Sequence, residues 1–306
     1  MSISNGVARV VRQDDGAHVG VFGAHTVRTA FQPIFAFGPG GLAIVAYEGL
    51  ARPFRDDEQL TPGAFFAAVP GSARLNVETM TRTAHLLNAG VWLDPSVAVF
   101  VNFDPSLFDE ISVADAALRD MRHVLQQAGI DPRRVVCEVT EQKSPSEAAL
   151  YRFVQALKVH GFRIAIDDYG SANSDINRVK GLKPDIVKFD AQWITRLMET
   201  GPGFALLASM VASFSEQGIE TVFEGIEEPW QLELAEKAGA SMVQGFVLAR
   251  PEIVPAVFRS APGAAAASAA PLAALAEGPV PAAEPRAHAR ARPFGRRSRA
   301  PQSETP

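Results

Sequence analysis

Asp167 and Asp168 stand side by side after an apolar run, Phe162-Arg-Ile-Ala-Ile166, and before Tyr169-Gly170-Ser171, a polar turn that ends the strand pattern. Adjacent carboxylates repel, and keeping both charged at the rim of a dry core costs on the order of several kcal/mol unless cations or donors compensate. A divalent ion is the simplest compensation; capping a helix N-terminus is the other role open to such a pair. The polar residues in or after the other apolar runs favour the ion. Glu48 lies in the second run, Asn102 follows Val99-Phe100-Val101, and Glu138 and Glu141 mark the end of the run from Val135. Lys188 sits within Ile186-Val-Lys-Phe189, Glu224 and Glu227 follow Phe223, and Gln244 precedes Gly245. Glu48, Glu138, Asp167, Asp168, Glu224 and Glu227 against the one lysine leave a negative excess that two divalent cations would nearly neutralise. Carboxylates and the Asn102 amide are all oxygen donors, which suits Mg²⁺ or Mn²⁺ better than zinc or copper. Two hard cations together are suited to displacement at phosphorus, with a phosphodiester as substrate. In such a site Lys188 can position the attacking water or stabilise phosphoryl oxygens, and Arg52 can grip a phosphate in bidentate fashion.

Elements able to bring these residues together are visible as alternating short β-branched runs and longer amphipathic stretches between residues 29 and 250. Strands are expected near Ala30–Phe37, Leu42–Leu50, Val97–Phe103, Val135–Thr140, Arg163–Asp167, Ile186–Phe189, Glu220–Phe223 and Ser241–Val247. Helices are expected near 77–88, 115–127, 147–160, 204–217 and 229–237. The first two strands are joined by Gly38-Pro39-Gly40-Gly41, too short for a helical crossover, so they form an antiparallel hairpin. The expected fold is therefore an α/β, (β/α)8-type barrel with one reversed strand. An open doubly wound sheet is the competing architecture, and no Gly-x-Gly-x-x-Gly fingerprint follows an early strand to support it. Residues two apart on a strand share a face. Glu138 thus goes with Val136, Asp167 with Ala165, Lys188 with Ile186 and Glu224 with Val222, all toward the barrel mouth.

A 306-residue chain with 47% hydrophobic residues can bury one large core. No apolar run approaches a membrane span, and Met1–Val11 lacks the pattern of a secretory signal. A single cysteine, Cys137, excludes an intramolecular disulfide, and the six histidines have no zinc-like spacing. A cytoplasmic protein is expected. Residues 1–24 read as a short N-terminal extension. Residues 259–306, rich in alanine, proline and arginine, read as a disordered tail. Six arginines, from Arg286 to Arg299, outnumber its three glutamates; the chain as a whole carries −5, so the remainder is acidic. An acidic or nucleic-acid partner is a candidate for that tail.

The motifs, in their order, resemble the EAL-domain family of cyclic di-GMP phosphodiesterases over residues 25–258. Phe31-Gln32-Pro33-Ile34 is similar to the family's Tyr-Gln-Pro-Ile, and Glu48-Gly49-Leu50-Ala51-Arg52 to its Glu-Ala-Leu signature. Val101-Asn102-Phe103 resembles Asn-Leu-Ser, Glu138-Val139-Thr140-Glu141 resembles Glu-Leu-Thr-Glu, and Asp167-Asp168-Tyr169-Gly170 resembles Asp-Asp-Phe-Gly. Val187-Lys188-Phe189-Asp190, Glu224-Gly225-Ile226-Glu227 and Gln244-Gly245-Phe246 complete the series. The resemblance implies a modified TIM barrel that hydrolyses cyclic di-GMP to linear pGpG. It implies Glu48, Asn102, Glu138, Asp167, Asp168 and Glu224 as ligands of two divalent cations, with Asp167 bridging. Lys188 is then the water-orienting lysine, with Glu224 a further ligand or general base and Glu48 also catalytic. Gln32, Arg52, Gln244 and Glu227 are implied as substrate contacts and Glu141 as the anchor of the loop after Asp168. A homodimer is implied as well. Two departures stand out: Gly49 in place of the signature alanine, and Ser171-Ala172-Asn173-Ser174-Asp175 where the family has Thr-Gly-Tyr-Ser-Ser. The second defines the alternative function, a receptor that binds cyclic di-GMP without turning it over.

Overall fold

A closed ring of eight strands forms the centre of the computed structural model, which describes residues 7–107, 111–140, 146–171 and 176–255. The chain enters through a hairpin of β1 (Arg9–Arg12) and β2 (His18–Phe22), which pairs with β3 (His25–Gly38). β3 and β4 (Gly41–Arg55) make the long hairpin expected from the glycine-rich turn, with Gly38 opposite Gly41. β5 (Glu58–Gln59), α1 (Pro62–Ala68) and α2 (Gly71–Trp92) lead into strictly alternating units. These are β6 (Ala98–Phe103), α3 (Ile111–Ala128), β7 (Val135–Thr140), α4 (Glu147–Val159), β8 (Arg163–Tyr169), α5 (Ile176–Leu182) and β9 (Ile186–Phe189). After α6 (Ala191–Met198) and α7 (Gly201–Glu216) come β10 (Glu220–Phe223), α8 (Pro229–Ala238), β11 (Met242–Val243) and β12 (Glu252–Ile253). β4, β6, β7, β8, β9, β10 and β11 run parallel, and β3 closes the ring antiparallel to both β11 and β4. This is the mixed eight-stranded barrel that the alternation implied, with the reversed strand where the short turn put it.

The barrel interior holds one apolar layer with a residue from each strand: Ile34, Ala46, Phe100, Val136, Ala165, Ile186, Val222 and Met242. The opposite strand faces pack on the helices. On α4, Leu150, Phe153, Val154 and Leu157 are buried at helical spacing, and Ser146 caps the helix by accepting from the Ala149 N–H. Each fully buried Val, Ile or Phe of this double core contributes roughly 1.5–3 kcal/mol, so the strands that carry the mouth are rigid.

Strand eight is shorter than its sequence pattern. Only Met242 and Val243 keep ladder geometry, because beyond them the chain turns to bond the segment after β10. Gln244 donates its N–H to Phe223 O, and Gln244 O accepts from Ile226 N–H. The helix expected at 77–88, α2, starts earlier, at Gly71, and α1, α5, α6, β1, β2, β5 and β12 add short elements whose periodicity is too brief to read. β1 and β2 lie within the stretch read as an extension. Phe22 packs with Val27, Phe65, Val77 and Met80, and a side chain at Gly20 would meet the Met80 methyl at 2.8 Å. The tail from residue 256 onward lies outside the described residues. Among the described residues, no helix is long and apolar enough to cross a membrane.

Candidate metal-binding active site

Every residue of the apolar layer has a polar residue two positions along its strand on the mouth side. Gln32 pairs with Ile34 in this sense, Glu48 with Ala46, Asn102 with Phe100, Glu138 with Val136 and Asp167 with Ala165. Lys188 follows Ile186, Glu224 follows Val222 and Gln244 follows Met242. The direction is reversed on β3 because that strand is antiparallel. A polar ring therefore lies directly on a dry floor, which lowers the local dielectric and strengthens every charge interaction in it.

Lys188 is at the centre of the ring. Its side chain is 1% exposed, and its Nζ lies 2.7 Å from Glu224 Oε1, 3.0 Å from Asp167 Oδ1 and 3.7 Å from Glu48 Oε2, with Glu138 Oε1 closer still. Burial by itself would lower the lysine pKa, but Asp167, Glu138, Glu224 and Glu48 together outweigh it and hold the ammonium well above its ordinary range. Burial raises Glu138 well above the usual carboxylate range, with Glu48 and Asp167 adding repulsion that Lys188 only partly offsets. Burial likewise pushes Glu224 up to about 8, despite Lys188. Gln244 Nε2 donates to Glu48 Oε2 at 2.9 Å and Asn102 Nδ2 to Glu48 Oε1 at 3.4 Å, so Glu48 is oriented from two sides.

Asp168 reaches the same mouth by leaving regular strand geometry. Its φ is +57°, left-handed, and the pairing of β8 with β9 shifts register between Ile166 and Tyr169. In a regular strand, neighbours point to opposite faces. The left-handed residue cancels that alternation, and ligand oxygens of Asp167, Asp168 and Glu224 come within 4.8 Å of one another. A non-glycine residue at positive φ stores strain of roughly 1–3 kcal/mol, which the surroundings must hold. The holding group is aromatic: Tyr169 meets Phe189 and Phe214 edge-on, and Trp193 stacks on Phe189 at 5.7 Å. Gly170 follows at φ +103°, where a side chain would strike the Trp193 ring at 2.4 Å.

The residues present fit divalent cations. Among the described residues, Glu138 Oε2 is buried with no hydrogen-bond partner, and the buried Asp167 Oδ1 lies 3.0 Å from the Lys188 ammonium. Both are hard anionic oxygens facing a cluster of others, the donor chemistry that suits Mg²⁺ or Mn²⁺.

Other candidate residues sit differently. Gln32 is buried opposite Glu48, with Nε2 3.4 Å from Ala249 O. Arg52 is half-buried and donates to Ala51 O at 3.0 Å. Glu227 is exposed, and its N–H donates to Gln231 Oε1, which places it at the start of α8 and off the polar ring. Glu141 and residues 172–175 lie outside the described residues. The Gly49 departure has a local cause: a methyl there would come within 3.1–3.2 Å of the His85 ring, which α2 presses against β4.

His85 and Arg82 are site neighbours absent from the sequence reading. They share the inward face of α2 with Glu78 at spacings of four and three, and polar residues on an otherwise buried helical stripe were the available signal. Asn88 bonds the His18 backbone with both amide atoms, which fixes its orientation, and its Nδ2 also donates to Thr29 Oγ1. Thr29 Oγ1 in turn shares a hydrogen bond with His85 Nδ1 at 2.9 Å. Burial, aided by Arg82 and Arg52, lowers His85 to about 3 from 6.5. The unfolded chain therefore binds a proton that the fold refuses. The stability this contributes is full above pH 6.5 and falls by about 1.4 kcal/mol per unit as pH drops from there toward 3. His85→Gln should flatten the stability-versus-pH curve over that window in denaturant titrations; curves parallel to the unsubstituted protein's would show that His85 is protonated in the fold.

Comparison with known proteins agrees with this geometry. YkuI of Bacillus subtilis, an uncharacterized EAL-domain containing protein, is 27% identical over 213 residues, 68% of this chain and 51% of the relative. Its crystal structure with substrate cyclic di-GMP and calcium superposes with a TM-score of 0.64, covering 74% of this chain and 56% of that one. PdeA of Escherichia coli, a probable cyclic di-GMP phosphodiesterase, is 26% identical over 210 residues, 67% of this chain and 28% of the relative. BlrP1 of Klebsiella pneumoniae, solved with manganese and cyclic di-GMP, has a TM-score of 0.67 at 24% identity and covers 81% of this chain and 59% of that one, a likeness of fold. The chain thus spans less than two thirds of the length of these relatives. With the EAL domain model matched continuously over residues 21–251, from β2 to the segment before β12 and across the whole polar ring, the chain belongs to the EAL domain family.

Proposed function

We propose that this chain hydrolyses cyclic di-GMP to linear pGpG with two divalent cations, Mg²⁺ or Mn²⁺. The observation that carries the reading is the ring of Glu48, Glu138, Asp167 and Glu224 around buried Lys188, joined by Asp168. Relatives support it, since YkuI was crystallised with cyclic di-GMP as substrate and PdeA is named a probable cyclic di-GMP phosphodiesterase. Glu48, Asn102, Glu138, Asp167, Asp168 and Glu224 would hold the ions, with Asp167 shared. When bound, the ions would acidify water and neutralise charge on the phosphoryl oxygens.

The chain's own groups do the rest. Lys188, locked by its carboxylates, is placed to orient a water and to donate to a developing oxyanion from a dry site, where such a bond is strongest. Arg52 grips a phosphate, Gln32, Gln244 and Glu227 contact the dinucleotide, and Glu141 anchors the loop after Asp168. The homodimer belongs to the same reading.

Incubating the protein with cyclic di-GMP and Mn²⁺ and resolving the products should yield pGpG; tight binding without product would instead identify a receptor, and neither would sink the assignment. Metal loading has an independent readout. At an ion concentration a hundredfold above Kd, the fold should gain about 2.7 kcal/mol, a Tm rise of roughly 5–10 °C for a domain of this size. Asp167→Asn should abolish the rise. A Tm indifferent to Mn²⁺ and Mg²⁺ would contradict the ligand set.

A further inference from the structure

Gly49 follows Glu48 on β4, and alternation along the strand turns one toward the mouth and the other toward α2. A methyl at Gly49 would come 3.1 Å from His85 Cγ and 3.2 Å from its Cβ and Cδ2. The imidazole ring fills the methyl's place. Contacts that tight are relieved if the neighbour yields by a few tenths of an ångström, and here the neighbour is pinned. Thr29 Oγ1 holds His85 Nδ1 at 2.9 Å, and Asn88 Nδ2 donates to the same Oγ1 at 2.9 Å. Asn88 is fully buried and exchanges two more bonds with the His18 backbone, at 2.7 and 2.8 Å. A satisfied buried polar network of this kind keeps its members in one arrangement.

Burial, aided by Arg82 and Arg52, holds His85 at a pKa of about 3, so at neutral pH the ring acts on β4 by shape and not by charge. A cavity of about 260 Å³ between β4, α1, α2 and β6 adjoins the contact, with Gly49, Arg82, His85 and Asn102 in its walls. Little else therefore backs β4 at that level. The same helix also holds the next strand. Arg82 Nη1 donates to Asn102 O at 3.3 Å, and its guanidinium lies 3.9 Å from the centre of the Phe103 ring. Helix α2 thus sets the separation of β4 from β6 where Asn102 Nδ2 meets Glu48 Oε1 at 3.4 Å.

We infer that His85 is a positioning residue for the ion site: its ring, fixed through Thr29 and Asn88, sets the distance of β4 from α2 and with it the placement of Glu48 against Asn102. The inference rests on the reading of the mouth as a divalent-cation site. A ligand oxygen displaced by a few tenths of an ångström does not affect all ions equally. Mg²⁺ demands near-octahedral geometry at about 2.0–2.1 Å, whereas Ca²⁺ accepts flexible geometry at about 2.3–2.6 Å. Preference for Mg²⁺ over Ca²⁺ is the property that His85 controls.

The test is calorimetric titration of the full chain with Mg²⁺ and with Ca²⁺, without substrate. Gly49→Ala, which wedges β4 away from the ring, and His85→Ala, which leaves β4 unsupported, should each weaken Mg²⁺ binding by about ten- to a hundredfold. Ca²⁺ affinity should stay close to that of the unsubstituted protein. Combining the two substitutions should restore Mg²⁺ binding, because the methyl then occupies the space the ring vacates. His85→Asn keeps Cγ and both δ atoms that meet Gly49 and Thr29, so it should retain Mg²⁺ binding. If His85→Ala does not fold, Gly49→Ala and His85→Asn decide between them. Equal weakening of both ions, additive losses in the double variant, or Mg²⁺ binding untouched by Gly49→Ala overturns the inference while leaving the metal site of the unsubstituted protein intact. An unsubstituted protein that binds neither ion overturns the reading of the mouth and this inference together.

Discussion

Lys188→Met is expected to slow cyclic di-GMP hydrolysis by at least ~10²-fold, the scale of losing one preorganised donor at an oxyanion, and at the same time to tighten the binding of divalent cations. The two effects have one origin. Lys188 Nζ lies against Glu138, Asp167, Glu224 and Glu48, the same oxygens assigned to the ions. In the absence of ions the ammonium is their compensation. Deleting it leaves buried carboxylates unpaired, a loss of about 3–5 kcal/mol for a broken buried pair. The carboxylates respond by taking up protons, for which Glu138 and Glu224 are already poised by burial. Cations then bind without displacing a like charge, and affinity should rise by about tenfold or more, a conservative share of the Coulomb energy between charges this close. Initial rates and Mn²⁺ calorimetry on the same preparation check both halves. A rate within a few-fold of the unsubstituted protein would remove Lys188 from the chemistry, and weaker ion binding would mean that the ligand oxygens depend on the lysine for their placement.

Gly245→Ala is expected to cost roughly 3 kcal/mol or more in stability, at the upper end for overpacking, although it adds one methyl group. A Cβ at residue 245 would lie 2.0 Å from Ile226 O and 2.3 Å from Ile226 N, backbone atoms that cannot swing aside. Ile226 N–H donates to Gln244 O and Val247 N–H to Ile226 O, so the two segments are laced together at that point. Relief would pull Gln244 from Glu48, whose Oε2 it holds at 2.9 Å. Lower unfolding midpoints in urea should therefore accompany reduced activity below the transition. A variant of normal stability would show that the approach of residue 245 to Ile226 is looser than the structure has it.

Much of the barrel was legible because periodicity is a local property. Val135–Thr140, Ile186–Phe189 and Glu220–Phe223 have the strand bounds expected from their residues, and the turn at Pro39-Gly40 forced the antiparallel pair. Face-sharing at a spacing of two puts Glu138, Asp167, Lys188 and Glu224 over Val136, Ala165, Ile186 and Val222, and the interior layer consists of those four apolar residues and their counterparts on the other strands. Short elements escaped because a turn or two of helix, or four strand residues such as Arg9–Arg12, carry too little period to register. Gln244 was found by its place after an apolar run, yet the strand expected to carry it lasts two residues, since its backbone bonds cross to Phe223 and Ile226 outside the ladder.

By itself the sequence determined the strand–helix alternation, the reversed strand and most of the acids at the mouth, Glu227 excepted, because alternation and turn length act between neighbours along the chain. Only the tertiary structure decided how those acids meet. Asp167 and Asp168, adjacent in sequence, would face opposite sides of a regular strand; the left-handed turn at Asp168, held by the stacked rings of Phe189 and Trp193, brings both to one mouth. It alone set four carboxylates from β4, β7, β8 and the end of β10 around a single buried ammonium. It alone put Arg82, an unremarkable helical arginine in the sequence, into the wall of a cavity beside them. Such arrangements depend on distances between residues far apart in the chain, which packing fixes and local pattern does not record.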